Sequence, residues 1–325
     1  MKMHRHWPIL SASVWLACLI VLVGTARADL FVVDHPSNAD FVRQYDSTTG
    51  MSINPTLVNL PFATGVTIGP DGLLYVGTSD PGEVFRYNAG TGVQFGSGPF
   101  VVYNGMPPTP DPRDVINPQG MKFGPDGNLY IADEGGNQNI HIYSPTGMSL
   151  GALTPPGDFS SPTAIAFSPA GNLYATGGSG VAEYSFTSHV FADVVQAATG
   201  GPTNPVDLSF GADGKLYVLD YGTDSVFRYN ADGTGQSTFI TFDNEFSPAN
   251  MAFGPDGDLY VSGTDFITAQ GEVLQFAPDG TFDQLFISDL SNPGFLAFTP
   301  VPEPAAGIAL LAPLLLARRR QTCAE

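Results

Sequence analysis

The sequence predicts an all-β fold, a six-bladed β-propeller of four-stranded antiparallel blades, and three observations lead there. First, a short phrase recurs: "GPDGLLYVGT" from Gly69, "GPDGNLYIAD" from Gly124, "SPAGNLYATG" from Ser168, "GADGKLYVLD" from Gly211 and "GPDGDLYVSG" from Gly254. Its aromatic falls at Tyr75, Tyr130, Tyr174, Tyr217 and Tyr260, spaced by 55, 44, 43 and 43 residues, and a step of 44 back lands on Phe31 in "DLFVVD". A period in the low forties marks a propeller blade or another stacked repeat. Second, each unit reads as strands punctuated by Gly, Pro and Asp, with no long 3.6-residue periodicity. Third, the first and last units are incomplete in complementary ways.

Within a unit the elements follow in order. A short apolar segment such as "SPTAIAF", "NPVDLSF" or "SPANMAF" is the innermost strand. Gly-Pro-Asp-Gly then turns the chain, proline presetting φ and the last glycine accepting a left-handed conformation. A second strand around "LYV" follows, then a third of alternating character, as in "VFRYN" at Val84–Asn88 and Val226–Asn230, and a less regular fourth. Innermost strands occur near Val66, Met121, Ile165, Leu208, Met251 and Leu296. The last of these, in "NPGFLAF", has no "DGxLY" after it, and the second strand around Phe31 has no innermost strand before it. The C-terminal strand is therefore expected to complete the N-terminal blade, closing a ring without exposed edges.

The two ends are set apart from this body. Residues 1–28 carry a basic start, an apolar run from Trp7 to Gly24 and a small-x-small ending at Ala26-Arg27-Ala28, the three parts of a secretory signal peptide cleaved by signal peptidase after Ala28. Residues 301–325 carry Pro302-Glu303-Pro304, thirteen apolar residues from Ala305 to Ala317, and Arg318, Arg319 and Arg320. The apolar run is shorter than the roughly 20 residues that span a bilayer comfortably, and the arginines favour the cytoplasmic side. This tail resembles the bacterial PEP-CTERM sorting signal. The resemblance implies processing by an exosortase-type membrane enzyme and delivery to the cell surface or the extracellular space.

The propeller is expected over residues 29–300. Both cysteines, Cys18 and Cys323, lie in the end segments, so the body has no disulfide. It keeps six basic and 29 acidic residues, a net charge of −23. Such a surface repels phosphate backbones and excludes nucleic acid as a partner. A monomer is the expected state.

The pattern "NPxxMxFGPDGxLYVAD…VFRYN" resembles the NHL-type repeat and its relatives among six-bladed propellers. That group includes non-catalytic binding scaffolds, calcium-dependent gluconolactonase-like lactonases, streptogramin lyases and amidating lyases. The lactonase resemblance implies a divalent cation at the channel mouth, held in part by an Asn and an Asp two residues before the apolar residue of an innermost strand. Those positions hold Ala249 and Val206 here, while Asn250 and Asp207 come one residue later, a shift that reverses the face of a strand. The lyases rely on histidines. The body's His35, His141 and His189 occupy different repeat positions and share no face.

Three candidate sets remain. Lys122, Asp207 and Asn250 are polar residues in otherwise apolar innermost strands and are expected to line the axial channel. Asp34, Asp133 and Asp220 share one repeat position, three residues after the aromatic, interrupted by Thr78, Gly177 and Gly263. Two roles fit them: shaping the adjoining loop by an Asx-type hydrogen bond, or forming a partial acidic ring that captures calcium or a ligand. The long spacing adds a proline-rich insertion, Tyr103–Gln119, that carries Arg113 and belongs with the same loops. The function these readings favour is a secreted, surface-sorted, non-catalytic binding or matrix module whose partner is an extracellular polysaccharide or a surface protein. The alternative is a calcium-dependent lactonase-type hydrolase using Asp207, Asn250 and neighbouring carboxylates.

Overall fold

In a computed structural model, residues 28–37, 39–103, 115–135, 138–153, 161–178, 180–186, 188–196 and 200–300 are described. They contain 23 strands and no helix. Blade 1 runs from Pro293–Phe298 at the axis through Asp29–Asp34 and Phe41–Asp46 to Ser52–Asn59. Blade 2 has Ala63–Ile68, Leu73–Ser79 and Gly82–Asn88, its outer edge marked only by bridges from Val84 to Val101 and from Tyr87 to Gln94. Blades 3 to 6 begin at the axis with Pro118–Phe123, Ala164–Phe167, Pro205–Phe210 and Phe246–Phe253, and each has four antiparallel strands in sequence order. The innermost strands neighbour one another in a closed circle.

The repeated phrase folds as a hairpin that also ties blades together. The closing glycines Gly72, Gly127, Gly171, Gly214 and Gly257 have φ between 73° and 89°, a region that favours glycine. In the four complete copies, the Asp Oδ1 accepts the N–H two residues on, at 3.0 to 3.1 Å. Its Oδ2 accepts the hydroxyl of the phrase's own tyrosine: Tyr75 at 2.9 Å, Tyr130 at 2.9 Å, Tyr217 at 3.1 Å and Tyr260 at 2.8 Å. Ala170 replaces that Asp in blade 4, and Tyr174 turns its hydroxyl to the Ala231 carbonyl at 3.1 Å. Burial, and then the Asp71 carboxylate, push the Tyr75 phenol up to about 12, so it stays a donor.

Each tyrosine ring meets the phenylalanine that ends the next blade's innermost strand. The pairs are Tyr75–Phe123, Tyr130–Phe167, Tyr174–Phe210, Tyr217–Phe253 and Tyr260–Phe298, with centroids 5.0 to 5.1 Å apart and steeply inclined planes. Such edge-on contacts suit the ring quadrupole. At the sixth junction Phe31 and Ile68 take these places in one apolar cluster.

Because strand side chains alternate, the leucine before each aromatic points to the opposite blade. Leu74 packs into the junction of blades 1 and 2, whereas Tyr75 packs into that of blades 2 and 3. The same division holds around the ring, so six apolar clusters fill six junctions.

Closure occurs as the sequence predicts. Leu30, Phe31 and Val32 pair with Phe298, Ala297 and Leu296. Asp29 and Thr299 seal the end, Asp29 N–H donating to Thr299 Oγ1 at 2.7 Å and Thr299 N–H to the Asp29 carbonyl at 2.9 Å. Antiparallel alternation sorts the connections to two faces. The first-to-second and third-to-fourth turns lie on one (the turn face), and the others lie on the opposite one (the loop face).

Candidate functional site

On the loop face, Asp34, Asp133 and Asp220 are fully buried. Each belongs to a second strand and accepts hydrogen bonds from the segment entering the innermost strand of its own blade. Asp34 Oδ1 accepts from the N–H groups of Ser291 and Asn292, both at 2.9 Å. Asp133 accepts from Ile116 N–H at 3.1 Å and Asn117 N–H at 2.7 Å. Asp220 Oδ1 accepts from Thr203 N–H at 2.9 Å and Asn204 N–H at 2.5 Å. Each Oδ2 has a further neighbour: Arg43 Nε at 2.7 Å from Asp34 Oδ2, His141 Nε2 at 3.4 Å from the Asp133 Oδ2 that Ile116 N–H also reaches, and Thr223 Oγ1 at 2.8 Å from Asp220 Oδ2.

The three carboxylates thus sit in three separate blades, engaged by their own loops. Among the described residues no cluster of three or more His, Cys, Asp or Glu side chains could hold a metal ion. A calcium ion held by these three together does not fit this geometry. Arg113 and residues 104–114 of the insertion lie outside the described residues, as do Pro302, Glu303, Pro304, Arg318, Arg319 and Arg320. Ala28 is described. It is buried, and its carbonyl accepts the Ser47 hydroxyl at 2.8 Å.

Along the axis, Lys122, Asp207 and Asn250 line one cavity of about 700 Å³ that extends to the turn face at Gly69-Pro70 and Gly254-Pro255. Asp207 and Asn250 precede the central apolar residue of their strands, a position held elsewhere by Gly65, Gly120, Ala164 and Phe295. Here the side chain leans toward the next blade. A Cβ at Gly65 would strike the Gln119 carbonyl, and one at Gly120 would lie 2.7 Å from the Ala164 Cα. Where the junction allows a longer side chain, it forms a stitch. Asp207 Oδ2 accepts from Asn250 Nδ2 at 2.6 Å and from Met251 N–H at 2.7 Å, and Asp207 Oδ1 accepts from Leu208 N–H at 2.8 Å. Asn250 Oδ1 in turn accepts from Leu296 N–H at 2.8 Å. Blades 5, 6 and 1 are joined through two side chains.

Electrostatics separates the pair from Lys122. Burial pushes Asp207 up to about 6, opposed by its backbone donors and by the charge of Lys122. Lys122 extends into the cavity instead of packing into a wall, and its side chain is solvent-exposed there. Among the described residues these two are the only ionisable ones lining the cavity.

Two features escape the sequence reading. His141 is fully buried beside Asp133 and stands where Arg43 stands beside Asp34, since His141 pairs with Ile131 as Arg43 pairs with Val32. The alignment of His141 on Arg43 within the repeat was the available signal. The loop face also exposes Phe62 (53%), Tyr221 (50%), Phe266 (63%) and Ile267 (68%). None lies at a repeated position, so periodicity is blind to them.

The fold defines the class: a six-bladed β-propeller. No protein-family model matches the chain, and no curated protein sequence does. Solved structures do. A chain of a nidogen/laminin complex is 14% identical, with a TM-score of 0.64 over 83% of this chain and 98% of that one. Catalytically inactive virginiamycin B lyase from Staphylococcus aureus with quinupristin is 16% identical, with a TM-score of 0.55 over 81% and 86%. A protein of unknown function from Bacteroides caccae is 14% identical, with a TM-score of 0.60 over 85% and 100%. At these identities the likeness is one of fold, and function must come from the site.

Proposed function

We propose that this chain is an exported, NHL-like propeller that acts as a non-catalytic binding module, sorted by its C-terminal tail to the bacterial surface or extracellular matrix. The observation that carries the proposal is the contrast between inward and outward residues on the loop face. The carboxylates repeated there are buried and engaged by backbone N–H groups. The large apolar side chains offered to solvent there are Phe62, Tyr221, Phe266 and Ile267, beside exposed carboxylates such as Asp80, Asp243 and Glu245. Exposed apolar and aromatic side chains on loops held by a rigid scaffold are common anchors for a macromolecular partner. The −23 charge of the body keeps it soluble after export and favours a neutral or cationic partner surface. One chain in a nidogen/laminin complex has the same fold.

The test uses the body, residues 29–300, with the extracellular polysaccharide and the surface-protein fraction of the producing cells presented separately. Retention by one of them, reduced about tenfold by Phe266→Ser with Ile267→Ser, is the expected result. Lactone turnover that is sensitive to chelator and lost in Asp207→Ala would replace this reading with the calcium-dependent hydrolase.

A further inference from the structure

The axial cavity lies at the opposite end of the molecule from those loops, and its lining has a chemistry of its own. Six innermost strands contribute equivalent residues just after the central apolar one: Thr67, Lys122, Ala166, Ser209, Ala252 and Ala297. Five are small and leave the axis open. The sixth is a long, flexible cation. Around them Phe123, Phe210, Phe253 and Phe298 are half-buried in walls whose surface is divided almost evenly between apolar and polar atoms, and Pro70, Pro255 and Pro300 stand at the rim.

Lys122 is set apart from the other described basic side chains. Arg43 is paired with Asp34 at 2.7 Å, and Lys215 donates to Asn230 Oδ1 at 2.6 Å. Arg86 lies 4.7 Å from the Phe100 ring centroid, and Arg228 lies 5.5 Å from that of Phe239. Lys122, among the described residues, makes no hydrogen bond or ion pair. The carboxylate near it, Asp207, has both oxygens turned to Asn250, Met251 and Leu208.

We infer that this cavity is a binding site for a small monoanion with an apolar body, its charged group on Lys122 Nζ and its body against the phenylalanine walls. A cavity of about 700 Å³ lies within the roughly 300–1,000 Å³ of small-molecule sites, and the phenylalanine rings on its walls offer an apolar surface beside Lys122. A single cation matches a single negative charge, and the acidic exterior disfavours polyanions. Among the described residues only Lys122 and Asp207 titrate on this lining. As pH falls through about 6, Asp207 gains its proton and stops offsetting Lys122. Affinity for the anion therefore rises from pH 7 to pH 5.

The test compares two fluorescent probes of one aromatic frame, anilinonaphthalene sulfonate and the uncharged phenylnaphthylamine, on the body at residues 29–300. The sulfonate should bind at one site per chain, about tenfold more weakly to Lys122→Met and near wild-type strength to Lys122→Arg. The uncharged probe should not distinguish these variants. Ser209→Trp, which fills the cavity from another blade, should weaken both probes. It stands as the test if the Lys122 variants fail to fold. Equal sulfonate binding by wild type and Lys122→Met, or probe binding unchanged in Ser209→Trp, would overturn the inference and leave Lys122 as a cation in a water-filled channel.

Discussion

Blades 1, 3 and 5 close their loop face on a buried carboxylate, whereas blades 2, 4 and 6 close the equivalent turn without one. In blade 2, Thr78 Oγ1 donates to the Pro61 carbonyl at 3.0 Å. In blade 4, Thr176 Oγ1 meets Thr163 Oγ1 at 2.9 Å and accepts from Ala164 N–H at 3.0 Å, beside Gly177. In blade 6, Gly263 has no room for a Cβ because the Phe246 ring and the Ser247 carbonyl occupy that space. The carboxylate blades share one more feature. Their entering segments are Asn292-Pro293, Asn117-Pro118 and Asn204-Pro205, against Phe62-Ala63, Ser161-Pro162 and Ser247-Pro248 elsewhere. Asp and Asn-Pro are thus two halves of one clasp, built from residues about 16 apart in two blades and about 258 apart across the ring closure. A buried carboxylate is tolerated in these blades because backbone N–H groups donate to it.

The most severe way to break the comparison is to remove Asn292–Phe298. Blade 1 would lose its inner strand, and Asp34 would lose an N–H donor. The cost should exceed about 5 kcal/mol, comparable to the whole stability of many domains, so thermal melts should show an unfolded or open chain. Next comes Asp220→Ala, which leaves the Thr203 and Asn204 N–H groups unpaired in a buried turn. About 3 kcal/mol should be lost by denaturant titration, against about 1 kcal/mol for Thr78→Ala in a blade without the clasp. Equal losses would erase the distinction between the two sets of blades.

Asp207 sharpens the contrast from the axis, since its carboxylate is held between blades at a position distinct from the clasp. Burial raises its pKa to about 6, above that of the unfolded chain, so the folded state retains the proton between about pH 4 and 6. Its contribution to stability is present below pH 4 and is lost as pH rises through 6. Asp207→Asn removes that titration. The stability difference between the two proteins should therefore move toward the variant by about 2–3 kcal/mol from pH 4 to pH 7. The smallest effect is expected for Tyr217→Phe, which loses one hydroxyl bond to Asp213 and about 1 kcal/mol while keeping the ring contact with Phe253.

Much of this architecture was legible. The spacing of Tyr75, Tyr130, Tyr174, Tyr217 and Tyr260 carried the blade count, and the unmatched strands around Phe31 and Leu296 carried the closure. The clasp was harder, because Asp before a loop suits both a turn and a calcium ion. Its partner, the Asn-Pro pair, was visible in the sequence, but the link between the two appears only once a blade is assembled. Asp207 and Asn250 illustrate another limit. Their strands carry bulges between Pro205 and Asp207 and between Pro248 and Asn250, and a bulge breaks the two-residue alternation from which facing is read. The exposed loop-face residues Phe266 and Ile267 obey no repeat at all.

The most direct test of the clasp is a melting experiment on wild type and Asp220→Ala, each in millimolar calcium and in chelator. If the carboxylates serve their loops, both proteins melt at calcium-independent temperatures, with the variant lower in both conditions. A wild-type melting temperature that rises with calcium, lost in Asp220→Ala, would contradict the account and make these residues a metal site.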